Sequence, residues 1–171
     1  MLRTHDYDEQ LPDELARLLT LDAPVVQGRA CPQTRTAHDG NVLDFSAKHV
    51  RALATPGHAP HCRSIVWREH VFCGGMLTAL ACPHYRVAGN PAALWGSVTP
   101  RLFTLPYGTL LFVGLARRAQ AVGTVFEQRL CHPWLARRCR DTFVAHMSSL
   151  ARLAAASPFP HHEPTRSHDP L

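Results

Sequence analysis

The sequence predicts an α/β fold in one domain, and three stretches carry that prediction. Val50-Arg51-Ala52-Leu53 alternates as a half-buried strand does, and Pro56-Gly57 ends it. Thr109-Leu110-Leu111-Phe112-Val113 is wholly apolar and reads as a strand buried on both faces. Leu94, Val98 and Leu102 recur at helical spacing behind Asn90-Pro91, an N-cap with proline in the first turn. That stripe reads as core packing.

Taken in order, Leu11, Leu15, Leu18 and Leu19 mark one face of a first helix. Pro12 suits its first turn, and Asp13 and Glu14 complement its positive end. Pro24 to Gln27 reads as a short buried strand and Gly28 to Asp39 as a polar loop. Asp39-Gly40 signals a turn into an alternating strand, Val42 to Phe45. After Leu53 the chain turns through a loop bearing His58. It then returns as a hairpin: Ser64 to Trp67, a turn at Arg68-Glu69-His70, and Val71 to Gly75. Met76 to Gly89 is irregular. Gly123 to Leu130 and Asp141 to Leu153 read as helices joined by a turn at His132-Pro133, with Phe143, Met147 and Leu150 on one apolar face. Prolines at 158, 160, 164 and 170 break up the end of the chain, so the domain is expected over 1–156, with a Pro/His-rich flexible tail over 157–171.

At 171 residues, 46% hydrophobic and 18% charged, the chain is long enough for a real core and too apolar to be disordered. The net charge of +5 rests on arginine, because Lys48 is the one lysine. The arginines are scattered. Their densest cluster, Arg137-Arg138 with Arg140, lacks an accompanying aromatic stripe and reads as a solvated helix face, so no nucleic-acid partner is expected. The first residues lack the apolar core of a signal peptide, and no stretch is long enough to span a bilayer. The 6 cysteines form no C-x-x-C pair and read as reduced thiols. The expectation is therefore a cytoplasmic protein without a membrane partner.

The chemistry converges on His58. Thr55-Pro56-Gly57-His58-Ala59-Pro60 places a histidine at a strand tip, where a rigid scaffold can present a ligand to solvent. Together with Val71-Phe72-Cys73-Gly74-Gly75, it resembles the T-P-G-H-T-P and V-F-T-G-D pair of metallo-β-lactamase-fold enzymes. Leu94-Trp95-Gly96-Ser97-Val98 and Arg101-Leu102-Phe103-Thr104-Leu105-Pro106 resemble the branch of persulfide dioxygenases, relatives of glyoxalase II. Glu127-Gln128-Arg129, His132-Pro133 and Asp141-Thr142-Phe143-Val144 continue the likeness, which runs from about Thr4 to about Leu150.

That resemblance implies a metallo-β-lactamase-type αββα sandwich. Because the likeness starts at the metal loop, where the family already has several strands behind it, the sandwich is expected to be incomplete at its N-terminal side. The chain would be a shortened form or a fragment of a longer reading frame. The resemblance further implies one iron(II) held by two histidines and one aspartate, with open positions for oxygen and a thiolate. The histidines fall on His5 and His58, the expected metal residues, and the carboxylate position is Gly75, which offers no ligand atom. In the family's T-H-x-H-x-D-H loop the other ligand positions are Tyr7, Glu9 and Gln10 here, and the histidine of P-G-H-D-Y is Leu115. Its tyrosine is Arg117, and the glutathione-holding G-R-T-D-F segment is Pro83 to Val87.

The reading is a persulfide dioxygenase-like or glyoxalase II-like protein with an eroded metal site, a pseudoenzyme or non-catalytic binding protein with no catalytic residues assigned. The alternative is an active iron- or zinc-dependent enzyme on glutathione thiol derivatives, with Asp8 or Glu9 as substitute ligand. Any cofactor would be iron(II) or zinc. The expected partners are a glutathione-derived small molecule and, through a bare sheet edge, a second copy of the chain. A separate cluster of His58, His61, Cys62 and Cys73 is a weaker candidate site.

Overall fold

The computed structural model describes residues 26–28, 35–45, 48–74, 76–77, 89–117 and 120–156. The expected first helix, most of the irregular Met76 to Gly89 stretch and the 157–171 tail lie outside them. Strands β1 (Val26–Gln27) and β2 (Arg35–Thr36) form a parallel pair. Strands β3 (Val42–Phe45), β4 (Lys48–Ala54), β5 (Arg63–Trp67), β6 (His70–Gly74), β7 (Leu110–Arg117) and β8 (Gln120–Thr124) form a sheet in that order. Its pairs are antiparallel except β6 and β7, which are parallel. A parallel pair needs a crossover, and helix α1 (Pro91–Ser97) lies within it. Helices α2 (Val125–Cys131) and α3 (Arg140–Ala156) follow the sheet.

Asn90 caps α1 as its sequence predicts: its Oδ1 accepts the Ala93 N–H at 3.0 Å, and Pro91 fills the first turn. The helix then widens into a π-helical turn over Val98–Leu102, where the Phe103 N–H donates to Val98 O at 2.9 Å. A spacing of four residues overshoots a 3.6-residue turn, and the wider turn brings Leu102 back beneath Val98. Leu94, Val98 and Leu102 are all buried, so the stripe is core.

The ladder places Leu53, Val66, Val71 and Leu111 on the face beneath the helices. There they meet Val98, Leu102, Phe143 and Met147. Ala52, Ile65, Phe72 and Phe112 occupy the opposite face. At the β4–β5 end, Val26 and Ala37 close that face. At the β6–β7 end it is a row of rings, with Phe72 stacked on Phe112 at 5.0 Å and His70 5.7 Å from Phe112.

Four sequence expectations are corrected. The Gly28–Asp39 loop contains β2, because Arg35 and Thr36 find their partners in β1 and carry Ala37 into the core. The expected helix at Gly123 starts instead at Val125, because Gly123 and Thr124 extend β8 against Leu111 and Leu110. Thr124 then caps α2 reciprocally with Glu127 (3.1 and 2.7 Å). His70 belongs to β6 rather than to the preceding turn, pairing with Trp67. The apolar β7 is interior in the ladder, yet Phe112 is only half-buried because its face is covered by rings and not by helices.

Candidate functional site

The β4–β5 connection, Thr55 to Cys62, carries His58, and the surrounding elements bond it at Thr55, Pro56, Gly57 and Cys62. At its entry, Asp39 Oδ1 accepts the Ala54 N–H at 2.7 Å, and Arg101 donates to both Asp39 oxygens (2.7 and 2.9 Å) and to Ala54 O (3.0 Å). The guanidinium and the Ala54 amide hold the Asp39 carboxyl down at a pKa of about 2. Thr55 is fully buried, its hydroxyl bonded to that of Ser64 at 3.0 Å. The Ser97 hydroxyl donates to Pro56 O at 2.6 Å, and the Asn90 N–H to Gly57 O at 2.8 Å.

Gly57 is required at its position. Its φ is +140°, and a Cβ there would stand 2.4 Å from Leu94 Cα. Helix α1 therefore rests directly on the loop backbone, which orients the next residue, His58, inward; His58 is 6% exposed. Its Nδ1 lies 3.7 Å from the sulfur of buried Cys62. Cys62 is fixed in turn, its N–H donating to Ala59 O (3.3 Å) and its carbonyl accepting from Thr55 N (3.0 Å).

The far side of the loop is held by a residue the sequence reading did not single out. Arg63 donates through Nε to Ala37 O (2.7 Å) and through Nη1 to Cys62 O (2.9 Å), tying the β1–β2 pair to the loop. The signal was weak, an arginine opening an otherwise apolar strand. Its partners come from the β2 region that reads as loop.

Of the two histidines expected to hold metal, the structure places His58 at this strand tip, and His5 lies outside the described residues, as do Tyr7, Glu9, Gln10 and Gly75. The chain does approach Gly75 in a distinctive way. A register shift leaves Cys73 as the extra residue between the Phe72–Phe112 and Gly74–Val113 pairs, and Gly74 turns left-handed at φ +57°. The Cys73 thiol donates to Phe112 O at 3.2 Å, and burial pushes its pKa up to about 12. It is therefore a packed thiol. His61 is exposed, so the four-residue His/Cys cluster is reduced to the His58–Cys62 contact.

Among the described residues, no three His, Cys, Asp or Glu side chains are grouped to hold a metal ion. The donors on hand supply one buried imidazole beside one thiol, and glycine at position 75 supplies nothing. The donors among the described residues do not by themselves make up a two-histidine, one-carboxylate set. Among the same residues no helix is long and apolar enough to cross a membrane. Arg137, Arg138 and Arg140 are exposed, with Arg138 lying over the Trp134 ring at 5.5 Å.

No family model matches the chain. It is 31% identical over 115 residues to mitochondrial persulfide dioxygenase ETHE1 of Bos taurus, covering 66% of this chain and 45% of that protein. It is 32% identical over 93 residues to a hydroxyacylglutathione hydrolase-like protein of Mus musculus, covering 50% of this chain and 32% of that one. The chain thus spans less than half the length of these curated relatives. Among solved structures, ETHE1 from Myxococcus xanthus superposes with a TM-score of 0.78 at 26% identity, covering 91% of this chain and 72% of that one. The BLEG-1 B3 metallo-β-lactamase superposes with a TM-score of 0.66 at 19% identity, over 78% of this chain and 75% of that one. The fold is that of the metallo-β-lactamases.

Proposed function

We propose that this chain, metallo-β-lactamase in fold and similar in sequence to persulfide dioxygenases and hydroxyacylglutathione hydrolase-like proteins, is a non-catalytic binding protein: a pseudoenzyme built on their scaffold. The observation that carries the reading is a mismatch. The loop around His58 is held by hydrogen bonds with Ser64, Ser97 and Asn90, whereas the position that should give the carboxylate is Gly75. Without that anionic ligand a two-histidine site binds a divalent ion weakly and leaves it one unit more positive. Pro83 to Val87 stands where the relatives' glutathione-holding segment lies and Arg117 where their tyrosine does, so ordinary turnover of a glutathione-derived ligand is not expected.

The test is iron(II) titration of the wild-type chain against Gly75→Asp, with folding followed by circular dichroism. The wild type should purify with far less than one iron or zinc per chain, and Gly75→Asp should bind iron at least about tenfold more tightly. Oxygen uptake with glutathione persulfide should stay low in both. Near-stoichiometric metal in the wild type, lost on His58→Ala, would replace this reading with an active enzyme using Asp8 or Glu9 as ligand. We further propose that copies of the chain associate along β3, at one edge of the six-stranded sheet, where Val42 is 62% exposed. Light scattering that finds a stable monomer across a wide concentration range would refute this.

A further inference from the structure

We infer that His132 is an acid-released latch on the connection between α2 and α3: its Nδ1 lone pair caps the turn that follows, and protonation of that nitrogen opens the turn. The device stands apart from the His58 loop and involves no metal chemistry.

The connection grows out of the end of α2. The His132 N–H donates to Gln128 O at 3.1 Å, and the His132 carbonyl accepts the Ala136 N–H at 3.0 Å. One residue thus closes the helix and opens the next turn. Pro133 follows in the first position of that turn, where a missing N–H costs nothing. The next two amides, of Trp134 and Leu135, both donate to His132 Nδ1, at 3.3 and 3.2 Å. Asparagine, aspartate or serine commonly performs this task at helix starts. Here an imidazole does it. A backbone amide can only donate, so both bonds require an unprotonated Nδ1, whatever else the ring touches. The neutral ring therefore carries its proton on Nε2.

Burial makes the cap sensitive to acid. His132 is 1% exposed and Leu135 is buried beside it, so water does not take over the two amides. Protonation turns the acceptor into a donor aimed at two donors and buries a cation, and the connection weakens as pH falls. The turn also bears Trp134, whose ring stacks on His146 at 4.1 Å and lies 5.5 Å from the Arg138 guanidinium. Ionisable groups on α2 (Glu127, Arg129), in the connection (Arg137, Arg138) and at the start of α3 (Arg140, Asp141) are exposed. Helix α1 and strand β8 carry none. His146, half-buried against Trp134, is the group that competes for the response.

Nitrogen NMR of labelled protein tests the latch, because the two tautomers give distinct ring-nitrogen shifts and the capped amides report on their own bonds. At about pH 8 the wild-type His132 ring should be in the Nε2–H form. Between about pH 7 and pH 5 the ring nitrogens and the Trp134 and Leu135 amide signals should move together. His132→Asn supplies an Oδ1 that accepts in place of Nδ1 and does not titrate, so both amides should stay unchanged over that range. His146→Gln should respond as the wild type does. A wild-type ring in the Nδ1–H form overturns the proposal. So does an acid response of the two amides that persists in folded His132→Asn or vanishes in His146→Gln. Where His132→Asn does not fold, the wild-type ring form and the His146→Gln titration decide.

Discussion

The Thr55–Cys62 loop and the outer face of β6 and β7 belong to one sheet and are held by opposite means. The loop carries one threonine, one glycine and two prolines around its histidines, and its neighbours reach it by hydrogen bonds of 2.6 to 3.0 Å. The β6–β7 face is held by ring contacts among Trp67, His70, Phe72 and Phe112, and Phe72 remains 38% exposed. Hydrogen bonds and close backbone approach specify position, because they weaken steeply with small displacements. Stacked rings supply area and tolerate sliding. The difference teaches which part of the scaffold is built for precision: the strand tip that carries His58.

The sharpest way to break that comparison is Gly57→Ala. The added methyl meets the Leu94 backbone and the φ of +140° suits glycine alone, so urea unfolding should show a loss of about 2–3 kcal/mol. A loss under about 0.5 kcal/mol would mean α1 gives way and the loop is not over-determined. On the ring face, Phe72→Ala should cost about 1 kcal/mol, since the ring is stacked yet partly solvated. A double-mutant cycle with Phe112 should recover part of that loss as coupling.

A smaller effect belongs to Asp39. Its folded pKa of about 2 lies below the ordinary 3.8, so its contribution is fully present above pH 3.8 and is lost as pH falls through about 2. The ion pair with Arg101 is 39% and 46% exposed, which limits its worth to about 1 kcal/mol or less. Asp39→Asn should therefore flatten the acid limb of the stability curve in that window and weaken with added salt. An acid limb identical to wild type would show the clamp is not felt in solution. The smallest effect concerns Cys73. With its pKa at about 12, it should resist alkylation at neutral pH while exposed Cys131 reacts, as peptide mapping would show. Cys139, whose pKa is lowered chiefly by the Thr142 hydroxyl, should react faster than Cys131.

The sequence by itself determined whatever one segment can specify locally. Asn90-Pro91 starts α1, Leu94, Val98 and Leu102 form its buried stripe, Gly40 turns left-handed at φ +76°, and Pro56-Gly57 ends β4 ahead of His58. The resemblance to the metallo-β-lactamase fold was equally legible, because it rides on short motifs at those punctuation points. Only the tertiary structure decided what depends on distant partners. β2 is two residues long and exists through its pairing with β1; the end of β8, Gly123 and Thr124, reads as the front of a helix until β7 offers it a ladder. Asp39 meets Arg101 across 62 positions, and Arg63 reaches Ala37 across 26. Such contacts leave no periodicity in the sequence, since each joins residues whose separation along the chain is set by the fold and not by the geometry of any one element.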